Sequence, residues 1–265
     1  MPFLGAGASL TGPVPPLSAK GLGEELAAGS DFPISDNEPI DLARIASFYE
    51  ARMGRPLLNG ALRDQLEGPF EPGRIHRYLA SVGERLLVIT TNYDTLLEQA
   101  FRAAGHDPHV VYHPFNDPER AGVVLWRQPG TAWDDFEEIQ PQDLTLPIGR
   151  APVIYKMHGH RHGGDDAQDA YLITEEDYVE FLAGMQVPPV VLRKLKNSSI
   201  LFLGYGLRDW NVRVLLSNLR RVGRGFAWAV QRDPEVVDER LWQARNVEVL
   251  RMEIDAFVDR LEAPA

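Results

Sequence analysis

The chain has 265 residues, ample for one large globular core. Hydrophobic residues at 44% and charged residues at 25% exclude wholesale disorder, a collagen-like repeat and a small disulfide-stapled scaffold. A formal charge of −11, with no run of five or more Lys/Arg, argues against direct binding to a nucleic-acid backbone or an anionic membrane. Zero cysteines exclude disulfides, thiolate zinc sites, iron–sulfur ligation and cysteine nucleophiles together. No apolar run approaches the ~18 residues that span a bilayer. Met1-Pro2-Phe3-Leu4 carries neither a basic n-region nor an apolar h-region, so the expectation is a cytoplasmic protein without a secretory signal.

In chain order, Phe3-Leu4 reads as a truncated-looking strand that runs straight into Gly5-Ala6-Gly7-Ala8-Ser9, as if native sequence preceded it. Gly12-Pro13-Val14-Pro15-Pro16 is a loop, and residues 19–28 follow as a helix. From about 39 to 85 the apolar spacing, as in Ile40 to Tyr49, predicts a helical insertion punctuated by Pro56, Pro69 and Pro72. Leu86 to Thr91 is a continuous apolar run, as expected of a strand buried on both faces of a parallel sheet. A helix spans 95–104 and a strand 109–112; the proline- and acid-rich stretch from about 113 to 150 reads as a peripheral surface insertion. Val153 to Met157 is the next strand. Thr174-Glu175-Glu176-Asp177 has the form of a capping box opening a helix. Strands at 199–203, 226–230 and 247–250 complete the series.

Short apolar strands alternating with helices predict an α/β fold with a largely parallel sheet. Four of the strands end in Gly-Ala-Gly-Ala-Ser, Asn-Tyr-Asp, His-Gly-His or Gly-Tyr-Gly-Leu-Arg-Asp. Ligands of open α/β sheets bind outside the carboxyl ends of strands, so these polar groups converge on one crevice.

Each motif alone has a bland reading. Gly5-x-Gly7 lets backbone N–H groups approach a phosphate, yet Leu10 stands where G-x-G-x-x-G needs its third glycine, and a mere tight turn is equally consistent. Asp94 before a helix suits an N-cap. His158, His160 and His162, with Asp165 or Asp166 nearby, have the spacing of a zinc or nickel site, but Gly163-Gly164 follows and no carboxylate is spaced to complete it.

The combination is far more specific. Gly-Ala-Gly-x-Ser, Thr90-Thr91-Asn92-Tyr93-Asp94, Lys156-x-His158-Gly159, Leu172-Ile173-Thr174-Glu175-Glu176-Asp177-Tyr178 and Phe202-Leu203-Gly204-Tyr205-Gly206-Leu207-Arg208-Asp209 follow in an order that resembles the sirtuin (Sir2-like) superfamily, closest to its bacterial antiphage-defence branch. The resemblance runs from Gly5 to about Arg232. It implies a single domain over 1–265 with a Rossmann-like, largely parallel sheet, a helical subdomain insertion and no zinc module. It implies NAD bound in the crevice, with Gly5, Ala6 and Ser9 by the pyrophosphate and with Gly7 and Thr91 also among the residues that bind it. Asn92 and Asp94 would sit at the nicotinamide ribose, His158 beside its hydroxyls, Gly204 and Gly206 under the adenosine half, and Gln231 near the adenosine ribose.

Two departures separate this chain from sirtuin deacetylases. The four-cysteine zinc module is absent, and Gly12-Pro13-Val14-Pro15-Pro16 stands where those enzymes carry Gly-Ile-Pro-Asp-Phe-Arg. What the resemblance then implies is NAD hydrolysis in antiphage defence, with Asn92, Asp94 and His158 as catalytic residues and no metal. It also implies a homo-oligomer or a partner defence protein, nucleic acid being reached only through that partner. The rival expectations are an ADP-ribosyl transferase or deacylase using the same first step, and a non-catalytic sensor of NAD or ADP-ribose.

Overall fold

In the computed structural model, residues 1–35, 39–82, 85–115, 117–120, 122–161, 169–184, 187–206 and 226–263 are described. The chain opens with β1 (Pro2–Leu4), α1 (Ala6–Ser9), α2 (Ala19–Ser30), α3 (Leu42–Met53), α4 (Arg55–Leu66) and α5 (Arg74–Ser81). Next come β2 (Leu87–Thr90), α6 (Leu96–Ala103), β3 (His109–Tyr112), β4 (Val124–Arg127), β5 (Glu137–Ile139) and β6 (Val153–Lys156). The remainder is β7 (Gly159–His160), β8 (Ala170–Tyr171), α7 (Glu175–Gly184), α8 (Pro189–Lys196), β9 (Ile200–Leu203), β10 (Ala227–Gln231), α9 (Val236–Gln243), β11 (Val247–Arg251) and α10 (Ile254–Glu262).

Nine of these strands form one sheet in the order β11-β10-β9-β1-β2-β6-β3-β4-β5, parallel from β11 to β3 and antiparallel at β4 and β5. Strand side chains alternate between two cores, as the period of two requires. Phe3, Ile89, Tyr155 and Phe202 face a layer that includes Phe181, Val191 and Trp242 from α7, α8 and α9. Leu4, Val88, Ile154 and Leu203 face Leu79, Phe101 and Val258 from α5, α6 and α10. Helices therefore cover both faces of a mostly parallel sheet, which is why its strands read as unbroken apolar runs.

The helical stretch divides. α2, α3 and α4 pack together around Leu26, Ile45 and Leu58 and close on Tyr171 and Ile173, whereas α5 leaves this group to lie against the sheet. Two ion pairs tether α4 to the segment around β8 and α7: Arg55 to Asp177 at 3.0 Å and Arg63 to Asp169 at 2.7 Å.

Segment 113–150 differs from its reading as a surface insertion. β4 is buried along its length and pairs with β3, and β5 adds the sheet edge, so this segment is part of the main sheet. Its signal was masked because Arg127 ends a buried strand. Its guanidinium is 1% exposed and is satisfied by Asp107 at 2.7 Å and by carbonyls of Pro108, Thr131 and Ala132.

Candidate functional site

The carboxyl ends of β9, β1, β2 and β6 lie side by side, and the candidate residues gather there. Two glycine loops interlock first. Gly5 N–H donates to the Leu203 carbonyl and Gly7 N–H to the Gly204 carbonyl, both at 2.9 Å. Gly204 has φ of +71°, and a Cβ on it would overlap the backbone of Gly7 and Ala8. Only glycine meets both demands. This refines the expectation for the first loop: the N–H groups of Gly5 and Gly7 are already engaged, so these glycines serve close packing of loop on loop. Beside them is a cavity of about 310 Å³, lined by Gly7, Gly204, Gly206, Gln231, Arg232 and Glu253 among others. Gln231 Nε2 donates to the Tyr205 carbonyl, which fixes its side chain at the rim.

Next to the loops, Ser9, Asn92 and Asp94 form one hydrogen-bonded set. Asn92 Nδ2 donates to the Gly5 carbonyl at 3.0 Å and to Ser9 Oγ at 2.8 Å; Ser9 Oγ donates to Asp94 Oδ2 at 2.6 Å. Both amide protons of Asn92 are thus used, and Oδ1 is the acceptor that side chain has left to offer. Asp94 Oδ1 accepts from Leu96 N–H at 3.1 Å, so the carboxylate also opens α6 in the manner of a cap. Ala6 sits in α1 between the two glycines, and Thr91 Oγ1 meets Tyr205 Oη at 2.5 Å, tying the second motif to the fourth.

His158 sits on the adjoining strand end. Thr90 pairs with Lys156 in the parallel register, so Asn92 and His158 each lie two residues beyond a paired position. Its ring lies in an aromatic nest, 5.9 Å from Tyr178 and 5.6 Å from Phe181 between centroids, and the residue is only 3% exposed. A ligand-facing loop position would be more open. The nest is built from α7, whose first turn is locked by a true capping box. Asp177 N–H donates to Thr174 Oγ1 at 3.1 Å, while Asp177 Oδ2 accepts from Thr174 and Ile173 N–H groups at 2.9 Å. Gly159, at φ +96°, turns the chain where a Cβ would strike the Ala170 carbonyl.

The histidine series does not converge. His160 packs against Tyr112 and Phe136, in a different setting from His158. His162, Asp165 and Asp166 lie outside the described residues, as do Leu207, Arg208 and Asp209 of the fourth motif. Among the described residues no group of three His, Cys, Asp or Glu could hold a metal ion.

Three further residues shape the site: Lys156 and Tyr205, which stand in the motifs without a predicted role, and His76, which belongs to none of them. Lys156, fully buried, donates from Nζ to the carbonyls of Asp94 and Tyr93 and to Glu98 Oε1 at 2.8 Å. Its signal was available: a charged residue ending the apolar run Val153-Ile154-Tyr155. His76 on α5 is buried near Asp94, and that burial, partly offset by the Asp94 charge, lowers its pKa to about 4; Nδ1 accepts from Gly73 N–H at 3.1 Å. Tyr205 stacks edge-on against Phe3 at 5.3 Å and holds Thr91. His76 carries no signal in the linear sequence, and Tyr205 stands there only as a member of the Phe202–Asp209 motif, without a role.

The profile of the SIR2-like domain family matches residues 86–250, which include Asn92, Asp94, His158, Gly204 and Gln231. The chain belongs to the SIR2-like domain family. Curated relatives of this SIR2-like chain include the NAD(+) hydrolase ThsA of Cytobacillus dafuensis, 26% identical over 216 residues, covering 81% of this chain and 37% of that protein. The NAD(+) hydrolase ThsA of Enterococcus faecium is 27% identical over 199 residues, 74% of this chain and 35% of the relative. Defense-associated sirtuin 2 of Bacillus subtilis is 25% identical over 194 residues, 71% of this chain and 16% of the relative. The SIR2-like chain therefore spans well under half the length of these relatives. No helix among its described residues is long and apolar enough to cross a membrane.

Proposed function

We propose that the chain hydrolyses NAD at the bond between nicotinamide and ribose, in bacterial antiphage defence. The observation that carries this reading is the hydrogen-bonded set Ser9–Asn92–Asp94 at the strand ends, abutting the interlocked glycine loops. The names of the relatives, NAD(+) hydrolase and defence-associated sirtuin, support it.

In this reading the adenosine half occupies the cavity beside Gly7, Gly204, Gly206 and Gln231. The nicotinamide ribose lies at Thr91, Asn92 and Asp94. Cleavage passes through an oxocarbenium-like state at C1′, as in glycoside hydrolysis. Nicotinamide leaves as a neutral molecule with the bonding pair, so it needs no proton. Asp94 places its carboxylate charge near the cationic carbon. Asn92 Oδ1 accepts from the attacking water, and His158 takes the proton from that water or from a ribose hydroxyl. Water adds its oxygen to C1′, giving ADP-ribose, nicotinamide and one proton.

NAD is the substrate, no metal takes part, and the protein works in the cytoplasm. Activity is under the control of self-association or of a partner defence protein, because an unregulated NAD hydrolase would be toxic to its own cell. A sensor that binds NAD or ADP-ribose without cleaving it is the second reading. It draws support from the internal satisfaction of Asp94, whose two oxygens already accept from Ser9 and Leu96. Incubating the pure chain with NAD and measuring free nicotinamide decides between them. Release favours the hydrolase, and tight binding without release under any oligomeric condition favours the sensor. Transfer of ADP-ribose to a protein or acyl-lysine acceptor would instead identify a transferase or deacylase.

A further inference from the structure

Along α6 lies a second cavity of about 340 Å³, which shares no lining residue with the one at the glycine loops. Its walls include Glu98 and Arg102 of α6, the rings of Trp133 and Phe136, and His160 with Arg161. Nothing in the proposed NAD chemistry uses it.

The polar groups in its wall are unevenly satisfied. Glu98 is 4% exposed. Its Oε1 accepts from Lys156 Nζ at 2.8 Å, with His160 Nδ1 3.8 Å away, while Oε2 is buried and accepts from no described residue. A buried carboxylate oxygen without a donor is costly, and it marks where an incoming donor would be received. The neighbouring charges set the sign of the rest of the ligand. Lys156 already balances Glu98, and Arg102 and Arg161 add two further cations. Arg102 is held over the Trp133 ring at 4.1 Å, with Arg127 over the same ring at 3.9 Å, so that its guanidinium is fixed at the cavity. The Phe136 ring lines the same cavity, braced by Tyr112 at 5.0 Å and His160 at 5.7 Å.

These features together ask for a flat aromatic ring with an uncharged N–H donor at one end and an anion at the other. A cationic ligand is disfavoured by Arg102 and Arg161. A metal ion would find a single carboxylate. The volume is at the lower end of the range for small-molecule sites, which suits one ring with a sugar and a phosphate. We propose that this cavity binds a nucleoside monophosphate whose base carries an exocyclic amino group, the amine on Glu98 Oε2 and the phosphate on Arg102 and Arg161. Arg161 suits this role: its Nη2 meets Glu67 at 3.2 Å, and its Nε is buried with no acceptor among the described residues.

Binding here is independent of any reaction at the glycine loops, and the probe is chosen accordingly. CMP has the required amine and phosphate but not the adenine that the other cavity would take. Calorimetric titration of the intact chain should give a dissociation constant below about 1 mM. UMP presents a carbonyl where CMP has its amine and should bind at least about tenfold more weakly, as a site built to receive a donor rejects its absence. Arg102→Ala, at an exposed position, should weaken CMP by about tenfold, and Gln231→Ala in the other cavity should leave it unchanged. Glu98→Gln should bring CMP and UMP to within about twofold of each other, a loss of discrimination that mere structural damage would not produce. No CMP binding up to about 10 mM, equal affinity for CMP and UMP, or CMP binding that is lost in Gln231→Ala and kept in Arg102→Ala would each overturn the proposal.

Discussion

The side-chain nitrogen of Lys156 lies 2.5 Å from the main-chain carbonyl oxygen of Asp94, out of contact with solvent. The same nitrogen holds the Tyr93 carbonyl at 3.3 Å and the Glu98 carboxylate at 2.8 Å. One buried charge thereby fixes both the loop that carries Asn92 and Asp94 and the first turns of the helix that follows. Replacing Lys156 by Met should destabilise the fold by about 3–5 kcal/mol, because Glu98 is left buried without its counter-charge. Adding Glu98→Leu should restore more than half of that loss, while nicotinamide release stays low in both variants. Urea denaturation of the two proteins measures the first effect and an NAD assay the second.

Asn92→Ala should lower nicotinamide release by about 10²–10⁴-fold, since it removes both the water acceptor and the clamp on Ser9. The cost in stability should stay within about 1–2 kcal/mol. Asp94→Asn keeps the shape and removes the charge, and should reduce turnover more than it weakens NAD binding. His158 is the harder case: truncation to Ala would empty a buried aromatic nest and cost about 2–3 kcal/mol. His158→Gln is the better probe, expected to fold and to lose turnover. Single-turnover kinetics alongside thermal unfolding separates the two effects.

Gly204→Ala and Gly206→Ala make a contrasting pair. At Gly204 the backbone has φ +71° and the new methyl meets Gly7 and Ala8, so the variant should lose at least about 2 kcal/mol. At Gly206 a Cβ meets nothing within 4 Å, so stability should be unchanged. Any fall in NAD affinity for Gly206→Ala would then report on the ligand alone. Differential scanning fluorimetry with and without NAD reads both.

Stability should fall as the solution is acidified. Burial lowers the pKa of His76 to about 4, with Asp94 opposing and Arg77 adding to the shift; burial, then the nearby His158, lowers His113 to about 4. Both are neutral in the fold and gain a proton on unfolding below the ordinary histidine value of 6.5. The unfolded chain therefore binds more protons between pH 6.5 and 4, and stability drops through that window and not above it. The drop is about 3 kcal/mol for each histidine. His113→Gln should halve the change in denaturation midpoint between pH 7 and 4.5.

The parallel sheet was legible because a strand buried on both faces leaves an unbroken apolar run, as at Leu87–Thr90 and Ile200–Leu203. β4 was not, because its buried Arg127 reads as a surface residue until Asp107 and three carbonyls are seen around it. At the site, Ser9, Asn92 and Asp94 were legible as motifs at strand ends. Their actual bonding was not, since it depends on loops brought together from positions more than 80 residues apart. The same holds for His76, Tyr205 and the cavity along α6, whose walls come from four separate stretches of chain.

β1 sits in the middle of the sheet, with Phe3 opposite Ile89 on one side and Phe202 on the other. A ribosome making the chain at ~5–20 residues per second would finish that second partner roughly 10–40 s after the first strand emerges. For that interval three apolar residues and their unpaired main-chain groups wait in an incomplete sheet. Closing a loop of this length is itself entropically slow, and parallel pairing offers no local hairpin to start from. β1 therefore keeps one edge open until β9 is made, and β10 and β11 add to the sheet only after that. An unpaired apolar edge held open for that long is a template for pairing with other chains, so the order of synthesis exposes the middle of this sheet before its rim.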